Sequence, residues 1–108
     1  MTPLQREQLR RAILQLLVNR MLVAVADQEV SRVRRPRITE FLQKQMPEFS
    51  RLVADDIQET KRAAHSLPVT LVASLDTRTL KAEIDDVSGE LTSLLESILR
   101  EREDWRPL

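Results

Sequence analysis

Apolar residues recur at helical spacing from the beginning of the chain. Thr2 is suited to cap a helix, and Pro3 and Gln5 suit the first turn and a capping box. Leu9 and Ile13 then begin an apolar stripe, and residues 21–26 are apolar without interruption. Such a run fits either a buried helix segment or a short strand, and the helix formers on both sides favour helix. The pattern predicts one long helix over residues 3–34, with residues 32–38 as a connector because Pro36 disfavours helix before it.

The middle of the chain is divided by prolines. Thr39 is placed to cap a short helix over residues 39–45, and Pro47 separates it from a second helix over residues 48–66. Pro68 closes that helix. Residues 69–75 fit a short helix or an extended connector equally well, so both alternatives stay open.

The clearest pattern lies near the C-terminus, where Asp76 is placed to cap a helix over residues 77–103. Its apolar positions follow steps of 4, 3, 4, 3 and 4 residues, which is the spacing of a coiled-coil seam. Leu95 and Leu99 widen this stripe, as in a helical bundle. We predict that this stripe mediates self-association or partner binding; its residues are Leu80, Ile84, Val87, Leu91, Leu94 and Ile98.

Composition supports an all-α fold. The 108 residues include one Gly and no Cys, and the sequence has no Asn-Gly or Asp-Gly pair of the kind that hairpin turns favour. We therefore predict a single helical domain over residues 1–108, built as a bundle of four to five helices with long N- and C-terminal helices, the C-terminal one coiled-coil-like. No apolar run approaches the roughly 20 residues of a membrane-spanning helix, so we expect no membrane association and a cytoplasmic location.

Charge divides the chain into two unequal halves. Residues 1–46 hold nine Lys/Arg and four Asp/Glu, a net charge of +5, whereas residues 47–108 carry −5. The densest basic run is RVRRPR at residues 32–37. We interpret it as the cationic end of the first helix, where the helix dipole favours positive charge, and as an ion-pair partner for the acidic half.

A metal site or an acid–base site would need polar side chains that converge. The richest polar cluster holds Asp55, Asp56, Glu59 and His65, but on a continuous helix His65 lies on a different face from Asp56 and Glu59. The sequence also contains no Gly-rich phosphate loop and no HExxH motif. We therefore predict no catalytic residues, no metal, no cofactor and no small-molecule substrate.

Two functions remain. The first is a non-catalytic interaction or assembly protein that acts through helix surfaces and binds itself or another protein, with Trp105 either packed inward or serving as an anchor. The alternative is a small helix-turn-helix DNA-binding protein, with the motif at residues 39–66 and a C-terminal dimerisation helix. Its nucleic-acid contacts would be Arg32, Arg34, Arg35, Arg37 and Arg51. The neutral net charge and the two aspartates at 55 and 56 favour the first function.

Overall fold

The computed structural model describes residues 1–27 and 35–104, with side chains described for 1–26 and 38–101. Within these residues the chain forms helices and no strand. They are α1 (Pro3–Asp27), α2 (Arg35–Asp55), α3 (Ile57–Ala63), α4 (Val69–Ser74) and α5 (Thr77–Asp104). The predicted all-α bundle with long first and last helices is confirmed.

The first helix begins where the sequence predicts. The backbone N–H of Gln5 donates to Thr2 Oγ1 at 3.1 Å, and the Thr2 N–H donates to Gln5 Oε1 at 3.0 Å. This reciprocal pair is a capping box. The described part of α1 ends at Asp27, so the predicted extension to residue 34 lies outside the described residues.

Both prolines that were predicted to break helices near the middle of the chain lie inside α2. Pro36 is the second residue of α2, so residues 35–38 are helical and not a connector. This position tolerates proline because the N–H groups of a first turn have no partner within the helix. Pro47 lies in the interior, and α2 continues through it to Asp55. The predicted separation of residues 39–45 from 48–66 is therefore wrong.

The actual break comes nine residues after Pro47, at Asp56. The Asp56 carboxylate accepts a hydrogen bond from the Glu59 N–H at 3.0 Å and caps α3, which ends at Ala63. Of the two alternatives predicted for residues 69–75, the short helix is the one observed, as α4. It is followed by Asp76, whose Oδ1 accepts from the Thr79 N–H at 2.6 Å and caps α5 as predicted.

The core is formed mainly by α1, α2 and α5. Leu9, Ile13 and Leu17 of α1 are fully buried, and so are Leu80 and Ile84 of α5. The rest of the buried apolar core consists of Met46, Phe49, Val53, Ala64, Leu67, Leu75, Val87, Leu91 and Leu95. Each long helix is thus held by one apolar face, and burial of each such side chain stabilises the fold by roughly 1.5–3 kcal/mol. None of the described helices is long and apolar enough to cross a membrane.

Candidate interaction surface

A cluster of ion pairs joins α1 to α5. Arg6 Nε donates to Glu83 Oε1 at 3.0 Å, and Arg10 Nη1 donates to Glu83 Oε2 at 3.2 Å. Arg10 also donates to Asp86, and through Nη2 to Glu90 Oε1 at 2.5 Å. Two arginines of the basic half therefore contact three carboxylates of the acidic half, as the charge distribution predicts. These basic residues belong to the first turns of α1. The side chains of the run at 32–37 lie outside the described residues, so the ion pairs predicted for that run stay a prediction.

Arg10 is at the centre of this cluster. Its side chain is 18% exposed and that of Glu83 is 13% exposed, so both side chains are largely covered by the surrounding residues. The hydrogen bond to Asp86 raises the pKa of Arg10, and those to Glu83 and Glu90 act in the same direction. Charge-assisted bonds of this kind have defined geometry, so the cluster fixes how α1 lies against α5.

A groove of about 240 Å³ lies beside the ion cluster, between α1 and α5. Its apolar lining includes Val87 and Leu91, which belong to the core, and two side chains that remain open to solvent. These are Leu14 of α1, 38% exposed, and Leu94 of α5, 56% exposed. The groove is completed by the polar residues Glu7, Arg10, Arg11 and Glu90. It is an apolar opening with charged edges.

From Leu14 a second apolar face continues along α1, away from the core face. Leu14, Val18, Leu22 and Val25 follow one another at steps of four, four and three residues, so they lie on one side of the helix. We call these four residues the outer face of α1. None of them is buried, and Leu22 is 63% exposed. Helix α1 therefore has two apolar faces, of which the residues that the structure describes cover one.

A second groove, between α2 and α5, is lined by smaller and more polar residues. In it Ser50 Oγ donates to Asp85 Oδ1 at 3.3 Å. Gly89 lies in the same groove, and no atom of the described residues is within 4 Å of the position that a Cβ would occupy. This glycine is therefore not required for close packing against that part of the chain.

The stripe predicted on α5 is divided between the core and the surface. Leu80, Ile84, Val87 and Leu91 are at most 9% exposed because they pack within the chain. Leu94 and Ile98 are 56% and 37% exposed, and Leu95 takes the next core position. The buried positions follow the 3.6-residue period of a straight helix in a bundle, whereas Leu94 and Ile98 continue the heptad spacing onto the exposed side.

The polar side chains considered for chemistry have separate partners. Asp55 accepts from Arg51 at 2.8 Å, Asp56 caps α3, and Glu59 Oε2 lies 4.0 Å from Arg20 Nη2. His65 Nδ1 donates to the Ala63 carbonyl oxygen at 3.1 Å. Asp55 and Glu59 were expected on one continuous helix, but the break at Asp56 separates them. Within the described residues no three His, Asp or Glu side chains are close enough together to hold a metal ion.

The helix-turn-helix predicted at residues 39–66 is absent in the expected form, because α2 runs straight through its turn. Arg51 forms ion pairs on its own helix with Glu48 at 2.5 Å and Asp55 at 2.8 Å. The Glu48 ion pair lowers the pKa of that carboxyl and raises that of Arg51.

Arg32, Arg34 and Trp105 lie outside the described residues, as do the side chains of Arg35 and Arg37.

Sequence reasoning missed the outer face of α1. A signal for it was present, because residues 12–26 include a single charged residue, Arg20. A helix with one covered face normally shows several charges on the opposite face.

Comparisons with protein-family models, curated protein sequences and solved structures give no match.

Proposed function

We propose that this chain is a non-catalytic interaction or assembly protein that binds another protein chain through a helix surface. The observation that supports the proposal is the outer face of α1, in which Leu14 and Leu22 are exposed and Val18 and Val25 are half-buried, on a helix whose other apolar face forms the core. Contiguous apolar surface of this kind marks interaction sites more often than isolated exposed residues do. The groove at Leu14 and Leu94 extends the same surface onto α5.

The location of the surface differs from the initial hypothesis. The α5 stripe was expected to bind the partner, but four of its six residues contribute to the core, so they are unavailable in the folded chain. Leu94 and Ile98 remain as the part of that stripe that a partner can contact. The proposed surface is therefore the outer face of α1 together with the groove that joins it to Leu94.

The test is affinity capture from a lysate of the host, with and without nuclease, followed by mass spectrometry. A charge on an apolar contact surface is costly, so Leu22→Asp should abolish capture of the partner. The matched control is Val69→Asp, which places the same charge on an exposed valine of α4, 84% exposed. Capture that Leu22→Asp leaves intact, or that both variants reduce equally, contradicts the proposed surface.

The nuclease arm of the same experiment tests the nucleic-acid alternative. A protein partner survives nuclease treatment, whereas co-purifying material that nuclease removes indicates binding to DNA or RNA. Such binding should also fall steeply as salt concentration rises, because phosphate contacts release counterions. No contact among the described residues favours this alternative, since Arg51 already pairs with two carboxylates.

A further inference from the structure

The outer face of α1, with the neighbouring Met21 in place of Leu22, has the spacing of a helix-pairing seam. Leu14, Val18, Met21 and Val25 are separated by 4, 3 and 4 residues, which is the alternation of the a and d positions of a coiled coil. Met21 packs partly against the core, and Leu22 widens the seam on its exposed side. A seam of this pattern fits a second helix with the same pattern.

The charges near the seam restrict what can cover it. Arg20, the single charged residue between positions 12 and 26, has its guanidinium 4.0 Å from Glu59 of α3 and so belongs to the intramolecular contacts. The seam itself is uncharged over its whole length. Its complement is an equally uncharged apolar helix face, and the chain contains one in α1 itself.

We propose that the outer face of α1 binds the same face of a second copy, with the two α1 helices antiparallel about a two-fold axis. This inference rests on the proposed function and specifies its partner. Antiparallel a-to-d pairing places Val18 opposite Met21 of the second copy, and Leu14 opposite Val25 of the second copy. Because Leu14 borders the groove, that valine also approaches Leu94.

Charge decides between the two orientations. Arg11 and Glu7 form an exposed ion pair at 3.0 Å, one and two turns before Leu14. A parallel dimer would place Arg11 beside Arg11 of the second copy, and Glu7 beside Glu7 of the second copy. The antiparallel dimer separates these like charges.

The first test is sedimentation velocity of the purified chain over a concentration series. We expect a reversible monomer–dimer equilibrium at micromolar concentration. Leu22→Asp should raise the dimer dissociation constant at least about tenfold, because the charge loses water in the interface. Val69→Asp should leave it unchanged. Circular dichroism melting of both variants shows whether each is folded, so loss of the dimer can be separated from loss of the fold.

The second test determines orientation by disulfide formation, which is free of background because the chain has no cysteine. Val18→Cys and Met21→Cys variants are mixed under a glutathione redox buffer and their disulfides are identified by mass spectrometry. The antiparallel dimer predicts that the mixed disulfide, between the Val18→Cys and Met21→Cys chains, exceeds both symmetric disulfides by more than random pairing of the two variants would give. A parallel dimer predicts the reverse, and that result would overturn the proposal.

The two proposals can fail separately. A dimer that Leu22→Asp does not weaken contradicts this inference but leaves self-association in place. A chain that stays monomeric at all concentrations, yet captures a different protein in a Leu22-dependent manner, contradicts the second copy and supports the broader function. A monomer that captures nothing overturns both.

Discussion

At the scale of single residues, Gly89 is a poor helix former with open space beside its Cα. It lies in the interior of α5, and among residues 1–27 and 35–104 no atom would be within 4 Å of an added Cβ. Alanine is about 1 kcal/mol better than glycine in a helix interior, mainly because glycine loses more backbone entropy. Gly89→Ala should therefore raise the free energy of unfolding by about 1 kcal/mol, measured by urea denaturation. A decrease would show that another chain approaches this position in solution.

The cap of α5 depends on one carboxylate. The hydrogen bond from the Thr79 N–H lowers the pKa of Asp76 below its ordinary value. A lowered folded-state pKa gives stability that is present above the ordinary pKa of about 3.9 and is lost as pH falls through the folded-state value. Asp76→Asn keeps a capping side chain but has no charge to lose, whereas Asp76→Ala removes the cap.

We expect the following result from urea denaturation across a pH series. The stability of the wild type relative to Asp76→Asn should be constant above about pH 5 and should decrease below about pH 4. Asp76→Ala should be less stable than both at neutral pH. A wild-type advantage that grows as the pH falls would contradict the role of Asp76 as an ionised cap.

At the scale of helices, Pro47 is the main exception to local rules. It interrupts the hydrogen-bond ladder of α2, where proline is about 3 kcal/mol less favourable than alanine. Part of this cost is offset because proline also restricts the unfolded chain, by about 0.4–1 kcal/mol. Pro47→Ala should thus stabilise the protein by about 2 kcal/mol in chemical denaturation.

Pro68→Ala is the matched control for Pro47→Ala. Pro68 precedes α4 with φ −55° and ψ 136°, an extended conformation that suits proline. Its replacement should give no stabilisation, because no helix hydrogen bond is regained and the unfolded chain becomes freer. Equal effects of the two substitutions would show that Pro47 does not strain α2.

Helix boundaries were predictable where a side chain marks them. Thr2 with Gln5 and Asp76 with Thr79 form the caps that the sequence indicates. The break at Asp56 has the same kind of signal, an Asp followed three residues later by Glu59. Pro47 is the stronger local helix breaker, so the predicted helix boundary was placed there instead. Tertiary packing of Met46 and Phe49 on either side of Pro47 keeps α2 continuous, and local propensity does not report that contact.

At the scale of the whole molecule, the contact between α1 and α5 depends on Arg10. Arg10→Ala would leave the largely buried carboxylate of Glu83 with Arg6 as its remaining partner. We expect a loss of about 1.5–3 kcal/mol in the free energy of unfolding, the range for hydrogen bonds to charged groups. Arg11→Ala, which removes an exposed pair with Glu7, should change stability by less than about 0.5 kcal/mol. Comparable effects would show that the cluster does not hold the helices together.

The proposed interaction surface was harder to predict than the fold. The sequence identifies the apolar stripes of α1 and α5 but not which of them the chain covers for itself. Leu91 and Leu94 are three residues apart in one regular pattern, yet one is 9% and the other 56% exposed. That difference is set by how α1 crosses α5 beside the Arg10 cluster, which is a property of the assembled bundle. The prediction of a single domain and that of a protein partner stay predictions.

The ion pairs of Arg10 also have a consequence for how the protein is made. Their carboxylates follow Arg10 by 73 to 80 residues, so they are among the later residues to leave the ribosome. At elongation rates of about 5–20 residues per second, α1 waits roughly 4–16 s for them. Throughout that interval the core face of α1 lacks α5. The nascent N-terminal helix is therefore a natural substrate for chaperones that bind apolar segments during translation.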